Sequence, residues 1–282
     1  MNALVGEHLS IVTPKAQTTW RKVAGILTEE GSQLVFIDTP GLLNPGDLLQ
    51  RVLLSEARQA IRDADLLLVV LDPTQPLSDA DAAQLVQALQ EHDRPLHVVV
   101  NKKDLVSPDR LEALSRWAEE TFNVPARAIS ALKGDGLPEL LTELRAALPE
   151  SPFFFPDDEI ATDPVRFFVG EMVRETVFEN FHQEIPYSIF TQVGEFRQGD
   201  DARRTFIEVT IFVERRSQKG ILIGEGGGAI RELGTRAREK VEHFLGEPVY
   251  LELWVKVLPG WRKKRPHLKR LGFSVPDEDE RH

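Results

Sequence analysis

Short apolar runs alternate with longer amphipathic stretches through the first half of the chain. Leu34–Ile37, Leu66–Leu71 and Leu96–Val100 are rich in Leu, Val and Ile and end abruptly in polar residues, which is how buried strands read. Helix-start signals fall between them. Ser78 precedes Asp79 and Asp81, and Ser107 precedes Pro108 and Asp109, giving an N-cap, a first-turn proline and first-turn acids. Strands alternating with helices predict a parallel sheet in a doubly wound α/β domain over residues 1–148.

The pattern breaks over residues 149–163. Three prolines, the run Phe153-Phe154-Phe155 and the acids Asp157-Asp158-Glu159 have neither helical nor strand period, so this stretch reads as a linker. Beyond it, Asp163-Pro164 opens a helix to about Phe181. Strand-like runs follow at Tyr187–Phe196 and Thr205–Glu214, then a helix from about Ala229 to Leu245 and a last strand, Val249–Val257. Helix, strand, strand, helix, strand, with a glycine cluster before the second helix, predicts a separate α+β domain over 164–273, followed by an acidic tail, 274–282.

Composition narrows the function classes. A chain of 282 residues accommodates two ordinary domains, and 41% hydrophobic with 28% charged residues suits a water-soluble globular protein. No apolar run is long enough to span a bilayer, and the N-terminus has no signal-peptide pattern, so the cytoplasm is the expected compartment. Cysteine is absent, which excludes disulfides, thiolate metal sites and thiol nucleophiles. The net charge of −11 disfavours indiscriminate coating of nucleic acid, and no DNA partner is expected. Residues 1–150 hold 22 acidic against 14 basic side chains, net −8, and the remainder 23 against 20, net −3. Any nucleic-acid contact is therefore local, and the acidity lies mainly in the first part.

Polar motifs stand directly after two of the strands. Val35-Phe36-Ile37 runs into Asp38-Thr39-Pro40-Gly41, and Val98-Val99-Val100 into Asn101-Lys102-Lys103-Asp104. In open α/β sheets the ligand crevice lies beyond the carboxyl ends of the strands, where both motifs fall. Taken singly, the first reads as an Asp-rich turn and the second as a solvated loop. Their order and spacing, and Ser130-Ala131-Leu132 after a third apolar segment, make coincidence hard to sustain. The second domain has its own motif, Ile223-Gly224-Glu225-Gly226-Gly227, feeding the helix from Ala229. Glycines let a nucleic-acid backbone approach closely, and a helix N-terminus favours phosphate. Arg231 follows on that helix, and Arg262, Lys263, Lys264 and Arg265 follow Trp261 in a basic, aromatic run.

These residues match the DxxG, NKxD and SAx motifs of GTPases and the GxxG loop of type II KH domains, and the combination resembles the Era family. The resemblance runs from Met1 to Phe273. It implies a P-loop-type GTPase domain followed by a KH domain, with GTP or GDP and Mg2+ as ligands. Asp104 would read guanine, Asn101 brace the loop, the Lys102 stem cover the base, and Ser130, Ala131 and Leu132 present a backbone N–H to the guanine oxygen. Asp38 would hold Mg2+ through water and the Gly41 N–H would touch the γ-phosphate, with Thr39, Pro40 and Leu42 completing the loop. Gln17-Thr18-Thr19 resembles switch I, one of whose threonines would close over the metal. The implied partners are single-stranded ribosomal RNA and the small ribosomal subunit during assembly, with an anionic membrane surface as a lesser partner of the basic run.

Two departures stand out. No G-x-x-x-x-G-K-[ST] occurs, and Met1-Asn2-Ala3-Leu4 resembles the helix that normally follows that loop, so the first strand and P-loop are missing. The expectation is poor GTP binding and scarcely any hydrolysis, whether the recorded start lies downstream of the true one or the deletion is real. Leu42 stands where many small GTPases carry a water-positioning glutamine, so no catalytic base is named. Glu225 replaces the cation common inside the GxxG loop and would repel phosphate unless it turns outward. The alternatives are an RNA-binding remnant without nucleotide dependence and a GTPase switch acting on a protein partner.

Overall fold

The computed structural model describes residues 1–13, 15, 18–29, 31–41, 45–90, 93–200 and 203–275. Gln17, Leu42 and the Asp277–Glu280 cluster lie outside the described residues. The chain forms two compact units, one of Met1–Glu7, Trp20–Gly46 and Leu53–Thr162, the other of His8–Thr19, Asp47–Val52 and Asp163–His282.

In the first unit α1 (Asn2–Val5) is a single turn, and β1 (Val23–Glu29) and β2 (Ser32–Asp38) form an antiparallel hairpin with Val23 opposite Asp38. The α/β part follows as α2 (Leu48–Asp63), whose first residues, Leu48 to Val52, fall in the second unit, then β3 (Leu67–Leu71), α3 (Asp79–Gln90), β4 (Leu96–Val100), α4 (Pro108–Phe122), β5 (Ala126–Ala128) and α5 (Leu137–Ala147). β3, β4 and β5 are parallel, with Leu71 opposite Val100 and Val100 opposite Ala128, so their polar continuations emerge at one level.

Among the described residues the hairpin and the parallel sheet are not joined by strand pairing. Side chains bridge them instead: Leu34 of β2 and Val99 of β4 share a core with Ile129, Leu140 and Leu144. Apolar burial needs no directional bond, so the core closes where the ladder does not. Val70 of β3 is 57% exposed between buried Val69 and Leu71, so the sheet face it projects from is uncovered there.

The Phe-rich stretch is docked on this unit. The Gln33 side chain donates to the Phe155 carbonyl (3.0 Å) and accepts from the Phe154 and Phe155 N–H groups (2.9 and 3.0 Å). Further on, the Ile26 N–H donates to the Ile160 carbonyl (2.9 Å). A stretch with no period of its own is ordered by the hairpin edge it pairs with.

The second unit contains α6 (Val165–Asn180), α7 (Ile185–Ser188), β6 (Phe190–Arg197), β7 (Thr205–Val213), α8 (Arg216–Ile223), α9 (Gly228–Leu245), β8 (Val249–Val257) and α10 (Arg265–Arg270). β7 is the central strand, antiparallel to β6 and parallel to β8. Val169, Val173 and Val177 of α6, and Leu233, Ala237 and Val241 of α9, recur every four residues and meet Ile207, Val209 and Ile211 of β7 in one core. Each of the larger of these side chains contributes about 1.5–3 kcal/mol on burial.

Two local expectations change. Residues 187–188 close α7 rather than open a strand, because Pro186 sits in the first turn of a short helix. Residues 216–223, unassigned from sequence, are helical up to the glycine loop. The Gln218 side chain accepts the N–H groups of Glu214 and Arg215 (3.0 and 2.9 Å) and starts that helix, while Leu222 is fully buried.

Candidate nucleotide and nucleic-acid sites

The polar residues beyond β4 and β5 form one preorganised cluster. The Ser130 hydroxyl donates to Asp104 Oδ1 (2.6 Å), and the Ala131 N–H donates to Asn101 Oδ1 (2.9 Å). The Lys103 N–H donates to the Ile129 carbonyl (3.0 Å), tying the loop after β4 to the loop after β5. Donation from Ser130 holds the Asp104 carboxyl below the usual carboxylate range despite desolvation, so the residue stands as an acceptor. Asp104 Oδ2 lies 3.8 Å from Lys133 Nζ, beyond a hydrogen bond, and Leu132 beside it is 86% exposed.

Lys102 occupies the left-handed region, with φ 61° and ψ 33°, an uncommon conformation for a residue other than glycine. Its ammonium pairs with Asp72 Oδ2 at 2.6 Å, and Lys103 pairs with Asp135 at 2.8 Å. Asp72 was not singled out in the sequence. Its position directly after an apolar strand, like that of Asn101, was the available signal.

Asp38 ends β2, followed by Thr39, buried Pro40 and exposed Gly41. A Cβ on Gly41 would meet nothing within 4 Å, so no neighbour within the protein requires glycine there.

Thr18 and Thr19 belong to the second unit. Arg174 of α6 donates from Nη2 to the Thr18 carbonyl, and its side chain, 1% exposed, also pairs with Glu171. The preceding residues are fastened to the same helix. Glu175 Oε1 accepts from His8 Nε2 (3.1 Å) and the Val12 N–H (2.7 Å), and Oε2 accepts from Lys240 of α9 (2.6 Å). Lys15 donates to the carbonyls of Phe178 and Phe181 at the end of α6, where a cation is favoured. Among the described residues no group of three or more His, Cys, Asp and Glu side chains could hold a metal ion.

The second cluster is the turn between α8 and α9. Gly224, Gly226 and Gly227 all have positive φ (72°, 56° and 77°). The Arg231 guanidinium donates to the Gly226 carbonyl (2.7 Å) and braces this loop, and Glu225 is exposed. Ile223 packs partly against the core from the end of α8. In the basic run, Lys263 and Lys264 are exposed and Arg265 is half-buried. Arg262 is committed internally, to Asp47 (2.7 Å) and the Tyr187 carbonyl (3.0 Å). The run is anchored by Trp261, fully buried, whose Nε1–H donates to the Ser188 carbonyl (3.1 Å).

Comparison with known proteins places the chain in a family. Residues 1–102 match the family described as 50S ribosome-binding GTPase, and residues 184–262 match the KH domain. Era of Aquifex aeolicus, solved as a single-residue variant bound to GDP·AlF4−, superimposes with a TM-score of 0.91 and 35% identity, over 97% of this chain and 93% of that one. Era solved with MgGDPNP and nucleotides 1506–1542 of 16S ribosomal RNA gives the same figures. GTPase Era of Desulfovibrio desulfuricans is 38% identical over 98% of this chain and 92% of its own length. With a GTPase-type α/β domain, a KH domain and this extent of similarity, the chain belongs to the Era GTPase family.

Proposed function

We propose that this chain is an Era-type RNA-binding protein that engages single-stranded small-subunit ribosomal RNA near its 3′ end and assists small-subunit assembly in the cytoplasm. Its own hold on GTP is weak. The observation that carries the RNA reading is the glycine turn ending α8 and opening α9. Three positive-φ glycines leave the approach to the N-terminus of α9 clear of Cβ atoms, so a nucleic-acid backbone can come close to that helix end; the Gly224, Gly227 and Gly228 N–H groups themselves close the turn on the Gly220, Gly224 and Glu225 carbonyls. Ile223 and Gly224 to Gly227 form the cleft, Arg231 holds the loop, and Lys263, Lys264 and Arg265 supply charge. Arg262 supports that run through its internal pairs rather than by reaching phosphate. Glu225 is exposed, which lets its carboxylate lie off the phosphate track. The Era structure containing a 16S ribosomal RNA segment supports the choice of RNA.

The nucleotide half is divided. Asn101, Asp104 and Ser130 support a guanine reader, while the Ala131 N–H, expected to meet the guanine oxygen, donates instead to Asn101 Oδ1. An adenine there would leave Asp104 Oδ2 without the donors that guanine offers, and a site built to bond a donor rejects the analogue that lacks it. The phosphate half fits less well. Asp38 and Gly41 would serve Mg2+ and the γ-phosphate, but the chain has no G-x-x-x-x-G-K-[ST] to cradle the phosphates, and the Thr18 carbonyl is taken by Arg174. GTP hydrolysis is correspondingly slow.

Fluorescence anisotropy with a labelled 16S 3′-terminal oligoribonucleotide tests the RNA reading. Saturable binding is expected, tighter than for the DNA of the same sequence. The three cations of the basic run should give a log–log salt slope of about −2. Equal affinity for DNA, or no saturable RNA binding, contradicts it. Competition by phosphatidylserine vesicles but not by unlabelled RNA would assign the basic run to a membrane surface instead.

A further inference from the structure

We infer that Asp72 is a positioning residue of the guanine site, pinning the Lys102 ammonium so that the lysine stem is held extended as one wall of the base slot. This rests on the guanine reading above and deepens it.

The parallel register places Asp72 there. Leu71 and Val100 are partners at the ends of β3 and β4, and the Asn101 N–H donates to the Leu71 carbonyl (2.9 Å), so the next residues of both strands leave the sheet side by side. Asp72 is then oriented by its own turn. Oδ1 accepts from the Thr74 N–H (2.9 Å) and the Thr74 hydroxyl (2.6 Å), which leaves Oδ2 for Lys102 at 2.6 Å. With both oxygens engaged, the carboxylate is an anchor rather than a metal ligand. On the lysine side, the backbone is fixed in the left-handed region, and its carbonyl accepts from the Leu105 N–H (3.0 Å). The side chain is therefore held at both ends. A lysine whose charge is taken by Asp72 has its apolar stem to offer, and a flat base needs such a surface. Pinning it before the base arrives removes the rotamer entropy that a loose lysine would lose on binding.

The alternative is an ion pair that merely decorates the rim. The two side chains are 40% and 36% exposed, and pairs so placed contribute little to stability. The two roles separate because Asp72→Asn should leave the melting temperature nearly unchanged while base binding falls. The probe is GMP, which tests the base slot without β- or γ-phosphates, titrated into the 15N-labelled full chain with the Ala131 amide as reporter.

Asp72→Asn is expected to weaken GMP about three- to ten-fold, Lys102→Ala at least as much, and the double variant no more than Lys102→Ala alone, as coupled residues behave. AMP should give no saturable shift. If Lys102→Ala weakens GMP and Asp72→Asn does not, or if the two losses add, Asp72 does not position Lys102 and the guanine reading stands. If the unaltered chain shows no saturable GMP shift, or Lys102→Ala leaves it unchanged, the base slot is not where the guanine reading places it, and the role of Asp72 falls with it.

Discussion

Glu175→Ala is expected to release residues 8–13 from α6 and to lower the stability of the second unit by about 2–3 kcal/mol. The carboxylate is 3% exposed and bonds to His8, the Val12 N–H and Lys240. Burial pushes its pKa up, but the bonds from His8, Lys240 and Val12 outweigh burial and hold it at about 2, against an ordinary 4.5. By linkage that difference is worth roughly 3 kcal/mol, a ceiling that the alanine variant approaches from below because His8 and Lys240 regain water. Removing one member of a buried charged network is among the costlier single changes.

The two shifts have opposite signs and together define a pH window. Because the folded pKa of Glu175 is depressed, its contribution is present above pH 4.5 and is lost as pH falls toward 2. His8 is raised above its ordinary 6.5, chiefly by its bond to Glu175, so its share is complete below 6.5 and is lost as pH rises through its folded value. The fastening is strongest between about pH 4.5 and 6.5. Urea unfolding reads the stability change, and hydrogen exchange of the Val12 amide reads the attachment. An unchanged Val12 exchange rate in Glu175→Ala would show that the segment is held by something else.

The second large effect is expected at Gly224. Its φ of 72° and ψ of 174° belong to a region that essentially only glycine occupies. A Cβ there would stand 2.7 Å from Ala229 Cβ and 2.8 Å from the Ala229 backbone nitrogen, in the first turn of α9, where neither atom is the end of a flexible chain. Gly224→Ala must therefore shift the turn, at a cost of about 1–3 kcal/mol, and, if the proposed RNA site is right, should lower RNA affinity at least about ten-fold by displacing the N-terminus of α9. Gly226 is the internal control. It has φ 56°, and a Cβ there would meet nothing within 4 Å, so Gly226→Ala carries only the left-handed penalty of about 1–2 kcal/mol. Full RNA affinity in Gly224→Ala would remove the glycine turn from the RNA site.

What could be read from the sequence divides along physical lines. β3 and β4 are apolar runs broken by chemistry, and α6 and α9 carry four-residue apolar periods, so local pattern specifies them. α8 hides because its apolar residues crowd its last turn and Gly220 interrupts it; its helicity depends on burying Leu222 and on Gln218. β1 hides because Gly25 breaks its pattern, and it exists through its register with β2. The Asn101–Asp104 and Ser130–Ala131 motifs were legible as polar residues following apolar segments, but the bonds between them, Ser130 to Asp104 and the Ala131 N–H to Asn101, were not. The engagement of the Thr18 carbonyl by Arg174 was not, nor was the fastening of His8 and Val12 to Glu175. Those partners lie more than 150 positions apart, and no local period encodes such a contact.

The most direct test of the proposed division between guanine recognition and phosphate binding is calorimetry with Mg·GTP. It would be run on this chain and on the same chain preceded by a strand and a G-x-x-x-x-G-K-[ST] loop. The added loop is expected to tighten binding at least about a hundred-fold, some 2.7 kcal/mol of phosphate binding added to the proposed guanine contacts. Equally tight binding by both chains would contradict the division, and no binding by either would overturn the guanine slot itself.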